Sequence, residues 1–343
     1  MNTAYTSNID LTAAAEKLRH PGRRVLLTTH AKPDGDAYGS VVAMTAALRH
    51  IGAYTRALLI PPVPGNFQKL RGYDLIEQYQ PDLTIAEPDL VVVLDTGAWS
   101  QLGPMQPVLK PWLDRMLIVD HHLSGDMEAA WRYIDGEAAA CCEIVAQLID
   151  AMGVPYDDTI AEALFVGISS DTGWFRFSNT RPQTHELAAR LKRAGVDHAA
   201  LYAQLEQSER PEKLQLLIRA LNSMELLCDG KVAVMTLRAR DFTETGAWPE
   251  ETERFIDVPQ AIQTVQMVVL VTEPVAPCNG EQPAVRVSFR SKPGPDAVNV
   301  AQVAAQFGGG GHARASGAKV HGPFDQVLQR VRDVVTALPL PGC

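Results

Sequence analysis

The sequence predicts an α/β protein with a doubly wound, mainly parallel N-terminal sheet and a second, smaller α/β domain. Between residues 24 and 191, short apolar runs alternate with segments of helical period, which is typical of a parallel sheet covered by helices. From Lys231 onward the apolar residues follow the period of two that half-buried strands show. The length of 343 residues also favours two domains, since a domain usually takes about 100–200 residues.

Four near-continuous apolar runs predict the buried strands of the first sheet. They are RVLLTT (24–29), YTRALLI (54–60), DLVVVLD (89–95) and RMLIVD (115–120). Apolar residues spaced by three and four predict helices at residues 39–52, 142–153 and 159–171. The first two helices end at Gly52 and Gly153, and glycine is the usual residue just past a helix end.

The second half of the chain predicts a helical connector followed by strands. Residues of roughly 184–227 combine helical period with many charges. Strands are predicted in KVAVMTL (231–237), TVQMVVLVTE (264–273) and AVRVSFRS (284–291), and a final helix in FDQVLQRVRDVV (324–335). We therefore expect a first domain at residues 1–185, a helical connector at 186–227 and a second domain at 228–343.

Charge and composition narrow the classes of function. A net charge of −9 would repel a long duplex nucleic acid, although many proteins are acidic only for solubility. The five cysteines show no C-x-x-C spacing and predict neither a disulfide framework nor a zinc site. The sequence shows no secretory leader pattern and no run of about 18 apolar residues, so we expect a cytoplasmic protein that does not contact a membrane.

Acidic and histidine side chains follow three of the predicted strands and one predicted helix. They are His30, Asp34 and Asp36, then Asp95, then Asp120, His121 and His122, and finally Asp171. In a doubly wound sheet the carboxyl ends of the strands border the ligand crevice, so these side chains are expected to converge. Pro33 and Gly35 are expected to hold the first group in a loop, ahead of a helix that begins near Ser40.

Each of these groups also has a simpler interpretation when it is taken alone. D-G-D at 34–36 could be a solvated turn, Asp95 or one of the histidines a helix cap, and Asp171 a turn residue. Taken together, mixed carboxylate and imidazole ligands suit Mn²⁺ better than Mg²⁺ alone, and the lack of thiolates argues against structural zinc. Two cations about 3.5–4 Å apart would offset the repulsion among the carboxylates and activate a hydroxide for attack at phosphorus.

These groups resemble the four metal-binding motifs of the DHH phosphoesterases, and the D-H-H triplet is intact at residues 120–122. Downstream, GGGGHARASG (308–317) resembles the glycine-rich signature of the DHHA1 domain, and RVSFRS (286–291) resembles the strand before it. The resemblance covers most of the chain. It implies an active-site cleft between the two domains and, more weakly, a homodimer.

The resemblance also implies a role for each residue of the motifs. One metal would be held by His30, Asp34 and Asp95, and the other by Asp36, Asp95, His121 and Asp171, so that Asp95 bridges the two. The expected cofactors are therefore two divalent ions, Mn²⁺ first, with Mg²⁺ or Co²⁺ as alternatives. His122 would lie near the substrate phosphate and Asp120 would orient a histidine, which makes His122, Asp120 and Asp95 the expected catalytic residues.

Substrate contacts are expected in the second domain. The candidates are Arg290, Ser291, Gly309, Gly310, Gly311, His312 and Arg314. A run of glycines lets backbone N–H groups approach an anion, although taken alone it is more typical of a flexible turn. On the preceding strand Arg286, Ser288 and Arg290 share one face, and Arg286 is expected to be an ordinary surface residue.

Three aromatic residues, Trp174, Phe175 and Phe177, follow Asp171 closely. They could stack on a base, but we expect two of the three to belong to the core.

The subgroup that the chain resembles most is the bifunctional oligoribonuclease and 3′-phosphoadenosine-5′-phosphate (pAp) phosphatase. This implies hydrolysis of very short RNA (nanoRNA) to nucleoside monophosphates, and of pAp to AMP, with short oligonucleotides or small nucleotide phosphates as partners. One alternative is a phosphodiesterase for cyclic-di-AMP or the linear pApA, which would use the same metal site. A second alternative is a non-catalytic nucleotide-binding module, whose expected sign, a lost metal ligand, is not seen.

Overall fold

The computed structural model describes residues 5–275, 284–294 and 297–340. The chain divides into two compact units, Met1–Ser208 and Glu209–Cys343. The division falls within the segment expected to be a helical connector, which in the structure contains helices and one short strand that belong to one unit or the other. Within the described residues, no helix is both long and apolar enough to span a bilayer.

The first unit is built on a parallel sheet of six strands. They are β1 (Arg24–Thr28), β2 (Tyr54–Leu59), β3 (Ile76–Gln78), β4 (Leu90–Leu94), β5 (Met116–Asp120) and β6 (Trp131–Ile134). Their order is β3-β2-β1-β4-β5-β6, and every neighbouring pair is parallel. The four predicted strands are confirmed to within a residue at each end. The short, partly exposed β3 and β6 were not predicted, because they lack a continuous apolar run.

Helices cover both faces of this sheet. They are α1 (Leu11–Leu18), α2 (Gly35–His50), α3 (Gln106–Leu109), α4 (Cys141–Met152), α5 (Asp158–Asp171), α6 (Pro182–Arg193) and α7 (His198–Glu206). Alternate strand residues enter separate cores, so Leu27 packs with α2, α4 and α5 while Leu26 packs on the opposite face. After β1 the chain continues to β2 on one side and later returns to β4 on the other. The crevice of a doubly wound sheet therefore lies at the carboxyl ends of β1 and β4.

Helix α2 begins earlier than the sequence predicted. It starts at Gly35 rather than near Ser40, and Asp36 lies in its first turn. The expectation of a longer loop was wrong because the Asp34 carboxylate accepts the N–H groups of Asp36 and Ala37 and caps the helix. Asp34 is thus fixed at the N-cap, and Asp36 is fixed by the helix itself.

The second unit contains a mixed sheet, also of six strands. They are β7 (Glu225–Leu227), β8 (Val232–Leu237), β9 (Met267–Thr272), β10 (Ala284–Ser291), β11 (Gly310–His312) and β12 (Ala315–His321), in the order β11-β12-β10-β9-β8-β7. The pair β8 and β9 is parallel and the other pairs are antiparallel. The predicted strands and the final helix are confirmed.

Four helices accompany this second sheet. They are α8 (Pro211–Asn222), α9 (Ala239–Thr245), α10 (Val300–Ala305) and α11 (Phe324–Thr336). Helices α10 and α11 pack on the face that carries Val287 and Phe289, and α8 and α9 pack on the face that carries Val268. Cys228, just after β7, is disulfide-bonded. The sequence did not predict this bond, because an isolated cysteine gives no spacing signal.

Candidate metal centre and substrate-binding residues

The ends of β1, β4, β5 and α5 bring the candidate metal ligands of the first unit together. Three groups of side chains overlap there, and within each group the ligand atoms lie within 4.8 Å of one another. The groups are His30, Asp34 and Asp95; Asp36, His121 and Asp171; and Asp95, His121 and His122. Asp95 and His121 are the residues shared between groups, which places them at the middle of the cluster.

Asp95 faces a histidine on each side. Its Oδ2 lies 3.4 Å from His30 Nε2, and its Oδ1 lies 3.3 Å from His121 Nε2. Burial alone would raise the pKa of Asp95, but the two imidazoles outweigh burial and lower it. Asp95 follows β4 with a left-handed backbone, φ 61°, and its N–H donates to the carbonyl of Val119 in β5. Its carboxylate is therefore held at a defined point of the sheet edge.

Asp36 is fully buried and is anchored between two helices. Its carboxylate accepts the N–H groups of Cys141, at 2.5 Å, and Cys142, at 2.9 Å, which are the first two residues of α4. A carboxylate is favoured there because the first N–H groups of a helix have no acceptor within the helix and the helix dipole is positive at this end. Burial nevertheless raises the pKa of Asp36, and the charges of Asp95 and Asp171 add to this effect.

The two inner histidines present the same ring nitrogen to the cluster. Nδ1 of His30 lies 3.1 Å from the carbonyl of Ala31, and Nδ1 of His121 lies 3.3 Å from that of Ala138. A carbonyl can only accept, so each Nδ1 carries the hydrogen and each Nε2 faces the carboxylates. Backbone carbonyls commonly fix metal-binding histidines in this way.

Two buried atoms at the middle of the cluster have no hydrogen-bond partner among the described residues. They are Oδ1 of Asp95 and Nε2 of His121, which approach each other to 3.3 Å outside hydrogen-bond geometry. An unsatisfied buried polar atom costs about 1–3 kcal/mol, so such atoms need an explanation. A divalent cation would satisfy both, and the surrounding carboxylate and imidazole donors fit such an ion.

Three further groups of the cluster, His30, His121 and Asp171, have strongly shifted pKa values. Burial would lower the pKa of His30, but its interaction with Asp95 raises it to about 9. Burial also opposes the charged form of His121, and Asp95 and Asp36 raise its pKa to about 10. Burial, followed by the charge of Asp95, raises the pKa of Asp171 to about 7. Without a cation, the imidazoles therefore hold protons that balance the carboxylates.

Asp120 lies beneath the cluster and orients His122. Its Oδ1 accepts the N–H groups of His121 and His122, at 2.8 and 3.1 Å, and the Nδ1–H of His122, at 2.7 Å. Its Oδ2 accepts the hydroxyl of Tyr5 at 2.8 Å. The hydrogen bond to Asp120 raises the pKa of His122, whose side chain is 46% exposed. Sequence reasoning missed Tyr5, which belongs to no motif and lies 115 residues from Asp120.

The segment after Asp171 forms a tight left-handed turn. Gly173, Trp174 and Phe175 have φ values of 54°, 58° and 65°, and Asn179 donates its side-chain amide to the carbonyl of Asp171. Trp174 and Phe175 pack against the first core, whereas Phe177 is 56% exposed. The expectation that two of these three aromatic residues belong to the core is confirmed.

The candidate substrate residues of the second unit gather at one end of its sheet. Ala315 in β12 pairs with Arg290 on one side and with His312 on the other. The guanidinium of Arg314 donates to the carbonyl of Lys292, and the N–H of Ser291 donates to the carbonyl of Arg314. Arg290, at 38% exposure, has Asp257 3.6 Å away, and His312 is exposed. The cationic side chains of Arg290, His312 and Arg314 therefore gather at one end of the sheet, whereas Ser291 is buried.

The glycine run is partly a strand rather than a turn. Gly310 and Gly311 belong to β11, and the chain turns at Ala313 and Arg314. The alternative of a glycine-rich turn is confirmed only at Gly308, because Gly310 and Gly311 let β11 lie close against β12. A Cβ on Gly309 would lie 2.2 Å from the carbonyl oxygen of Gly317, and one on Gly311 would lie 2.7 Å from that of Ala315.

Each of the two units matches a known protein family. Residues 24–168 match the DHH family, N-terminal domain, and residues 229–338 match the DHHA1 domain. The chain is 28% identical over 327 residues to a bifunctional oligoribonuclease and PAP phosphatase of Thermus thermophilus, covering 94% of this chain and 93% of the relative.

Two solved structures share the fold. One is an exopolyphosphatase-related protein from Bacteroides fragilis, with a TM-score of 0.85, 22% identity and 95% of each chain covered. The other is the exonuclease RecJ bound to manganese, with a TM-score of 0.57, 16% identity, and 96% of this chain and 95% of that one covered.

Proposed function

Because the chain belongs to the DHH/DHHA1 family and is a metal-dependent phosphoesterase, we propose that it hydrolyses short oligoribonucleotides to nucleoside monophosphates, and pAp to AMP. The observation that carries this proposal is the convergence of carboxylates and imidazoles around Asp95 and His121. One buried atom of each of these two residues has no hydrogen-bond partner among the described residues. With divalent cations bound, such a cluster suits a reaction in which negative charge develops on phosphoryl oxygens.

We propose that two divalent ions, Mn²⁺ in the first place, bind to this cluster. His30, Asp34 and Asp95 would hold one, and Asp36, Asp95, His121 and Asp171 the other. When bound, such a pair supplies a hydroxide nucleophile and offsets the charge that develops on the phosphoryl oxygens. The mixture of hard oxygen and borderline nitrogen donors favours Mn²⁺ over Mg²⁺.

His122 and the second unit supply the remaining chemistry in this proposal. The Nδ1–H of His122 donates to Asp120, which leaves the opposite nitrogen, Nε2, to give a proton to the leaving oxygen. The terminal phosphate of the substrate is bound by Arg290, Ser291, His312 and Arg314 and by the backbone of Gly309–Gly311. The homodimer that the resemblance implies is tested separately, by light scattering.

The test compares two aspartates at opposite ends of β4. Asp95 follows the strand and Asp89 precedes it, about 20 Å away for six extended residues. Asp95→Asn keeps the shape of the side chain, and asparagine tolerates the left-handed backbone at this position. Asp89→Asn removes an exposed partner of Arg24 and serves as the matched control.

Metal-stripped wild type and both variants are incubated with a 5′-labelled RNA trinucleotide, with and without Mn²⁺, and the products are resolved by chromatography. We expect Mn²⁺-dependent release of mononucleotides by wild type and Asp89→Asn, and a loss of at least about a thousandfold in Asp95→Asn. Parallel reactions with pAp, pApA and cyclic-di-AMP rank the substrates. Failure of the metal-loaded wild type to hydrolyse any of these phosphoesters would refute the proposal.

A further inference from the structure

The segment that precedes α1 runs along the outer edge of β6. The side chain of Ser7 exchanges two hydrogen bonds with the backbone of Ile134, at 2.7 and 2.9 Å. Asn8 does the same with the backbone of Arg132 and Ala130: its Oδ1 accepts from Arg132 at 2.7 Å and its Nδ2 donates to Ala130 at 3.0 Å. The segment is therefore fixed on the edge strand of the sheet, next to β5.

This attachment places the ring of Tyr5 in a fitted space beside Asp120. A Cβ on Gly97 would lie 1.8 Å from the Tyr5 hydroxyl oxygen, and one on Gly125 would lie 2.4 Å from its Cε2. Neither glycine has a left-handed backbone, so close packing, and not chain conformation, excludes a side chain, and the Tyr5 ring makes the nearest contact at both positions. The hydroxyl donates to Oδ2 of Asp120 at 2.8 Å.

The hydroxyl completes the hydrogen bonding of a fully buried carboxylate. Oδ1 of Asp120 accepts three hydrogen bonds, all from His121 and His122, and Oδ2 accepts the one from Tyr5. Burial, followed by the charge of Asp120, raises the pKa of Tyr5, so the phenol stays protonated and remains a donor. Without it, Oδ2 would lose its partner, and the carboxylate could rotate away from the His122 ring.

We propose that Tyr5 is a positioning residue: through Asp120 it fixes the ring of His122 in the orientation that the reaction needs. The proposal rests on the proposed function, in which His122 gives a proton to the leaving oxygen. Tyr5 lies outside every motif of the site, in the segment before α1. We expect it to affect the rate of the chemical step and not the affinity for the substrate.

The kinetic test removes only the hydroxyl. Tyr5→Phe keeps the ring between Gly97 and Gly125. Tyr156→Phe is the matched control, because it also removes a partly buried hydroxyl, which donates to the carbonyl of Ala146 in α4. We expect Tyr5→Phe to lower kcat on the RNA trinucleotide about tenfold, the usual size for one hydrogen bond to a charged group, with KM within twofold of wild type. Tyr156→Phe keeps the wild-type kcat.

A spectroscopic test needs no turnover. In ¹⁵N-histidine-labelled protein loaded with diamagnetic Mg²⁺, the Nδ1–H proton of His122 is expected to give a downfield resonance, identified by its loss in His122→Gln. We expect it to persist in Tyr156→Phe and to broaden or vanish in Tyr5→Phe, because a mobile carboxylate no longer protects this proton from exchange. A folded Tyr5→Phe with an unchanged resonance and unchanged kcat overturns the proposal. An inactive wild type that still shows the Tyr5-dependent resonance overturns the proposed function instead.

Discussion

Asp95 occupies a position where backbone and side chain are constrained together. Its φ of 61° lies in the left-handed region, where asparagine and aspartate are found more often than other residues with a Cβ. The carboxylate is buried between His30 and His121. Strained backbone of this kind concentrates at functional sites, where surrounding contacts enforce it. A short polar side chain is thus required at this point for two independent reasons.

The histidines of the cluster predict a pH dependence of metal binding. With pKa values raised to about 9 and about 10, His30 and His121 are protonated at pH 7 in the metal-free protein. A cation needs the lone pair of each Nε2, so its binding must release these protons. We expect the affinity for Mn²⁺ to increase as the pH rises from 6.5 to 8.5, by up to about tenfold per pH unit for each proton released.

Calorimetry in two buffers of different ionisation enthalpy measures this proton release directly. We expect at least one proton to be released per protein at pH 7, and less release in a His30→Gln variant. A binding constant that stays the same across this pH range would contradict the shifted pKa values.

At the scale of elements, α2 and α5 cross at close range because glycines line the contact. A Cβ on Gly39 in α2 would lie 2.3 Å from the carbonyl oxygen of Ala163 in α5. A Cβ on Gly167 in α5 would lie 2.1 Å from Sγ of Cys142 and 2.7 Å from Oδ1 of Asp36. The two helices carry Asp36 and Asp171, so their separation sets the distance between two candidate ligands of one ion.

Gly39→Ala is expected to separate α2 from α5. Overpacking at such a contact costs about 1–3 kcal/mol of the free energy of unfolding, and here it also moves Asp171 away from Asp36. We expect a lower melting temperature and, at a temperature where the variant is folded, a Mn²⁺ affinity weakened about tenfold or more. The control is Gly65→Ala, because a Cβ at Gly65 would contact nothing within 4 Å and should leave both quantities unchanged. Equal Mn²⁺ affinity in the two variants would show that the helix spacing does not set the site.

Much of the arrangement of strands and helices could be predicted from the sequence, and each wrong or missing prediction has a physical cause. The strands β1, β4 and β5 are buried on both faces, so they appear as apolar runs, and most of the candidate metal ligands could be located from the ends of those runs. The start of α2 could not be predicted, because it depends on whether Asp34 caps the helix or belongs to a loop. Tyr5 could not be predicted either, because its partner is 115 residues away and only the folded sheet brings them together.

At the scale of the whole molecule, the net charge of −9 opposes the binding of a long polyanion. The cationic candidates for substrate binding, Arg290, His312 and Arg314, gather at one end of a single sheet. Positive charge in one small area suits the terminal phosphate of a short substrate, since a long nucleic acid needs many phosphate contacts along its length.

Substrate length should therefore control the rate. On RNA of two, three, five, ten and twenty-four nucleotides at constant ionic strength, we expect kcat/KM to fall at least about tenfold between the trinucleotide and the longest substrate. Single-turnover assays on gel-purified RNA measure this, and 0.3 M salt should narrow the difference by screening the repulsion. A twenty-four-nucleotide RNA degraded as fast as a trinucleotide would contradict the expected preference.

The double role of Asp36 limits what a mutational scan can establish. Its carboxylate holds the first N–H groups of α4 while facing the candidate metal cluster. An alanine at this position would therefore fray a helix of the core as well as remove a ligand, and the loss of activity alone would not separate the two effects. Asp34, by contrast, is 54% exposed, and besides being a candidate ligand it caps α2, the helix that carries Asp36. Inactive variants at these two positions would carry different information, although both positions belong to the same short motif.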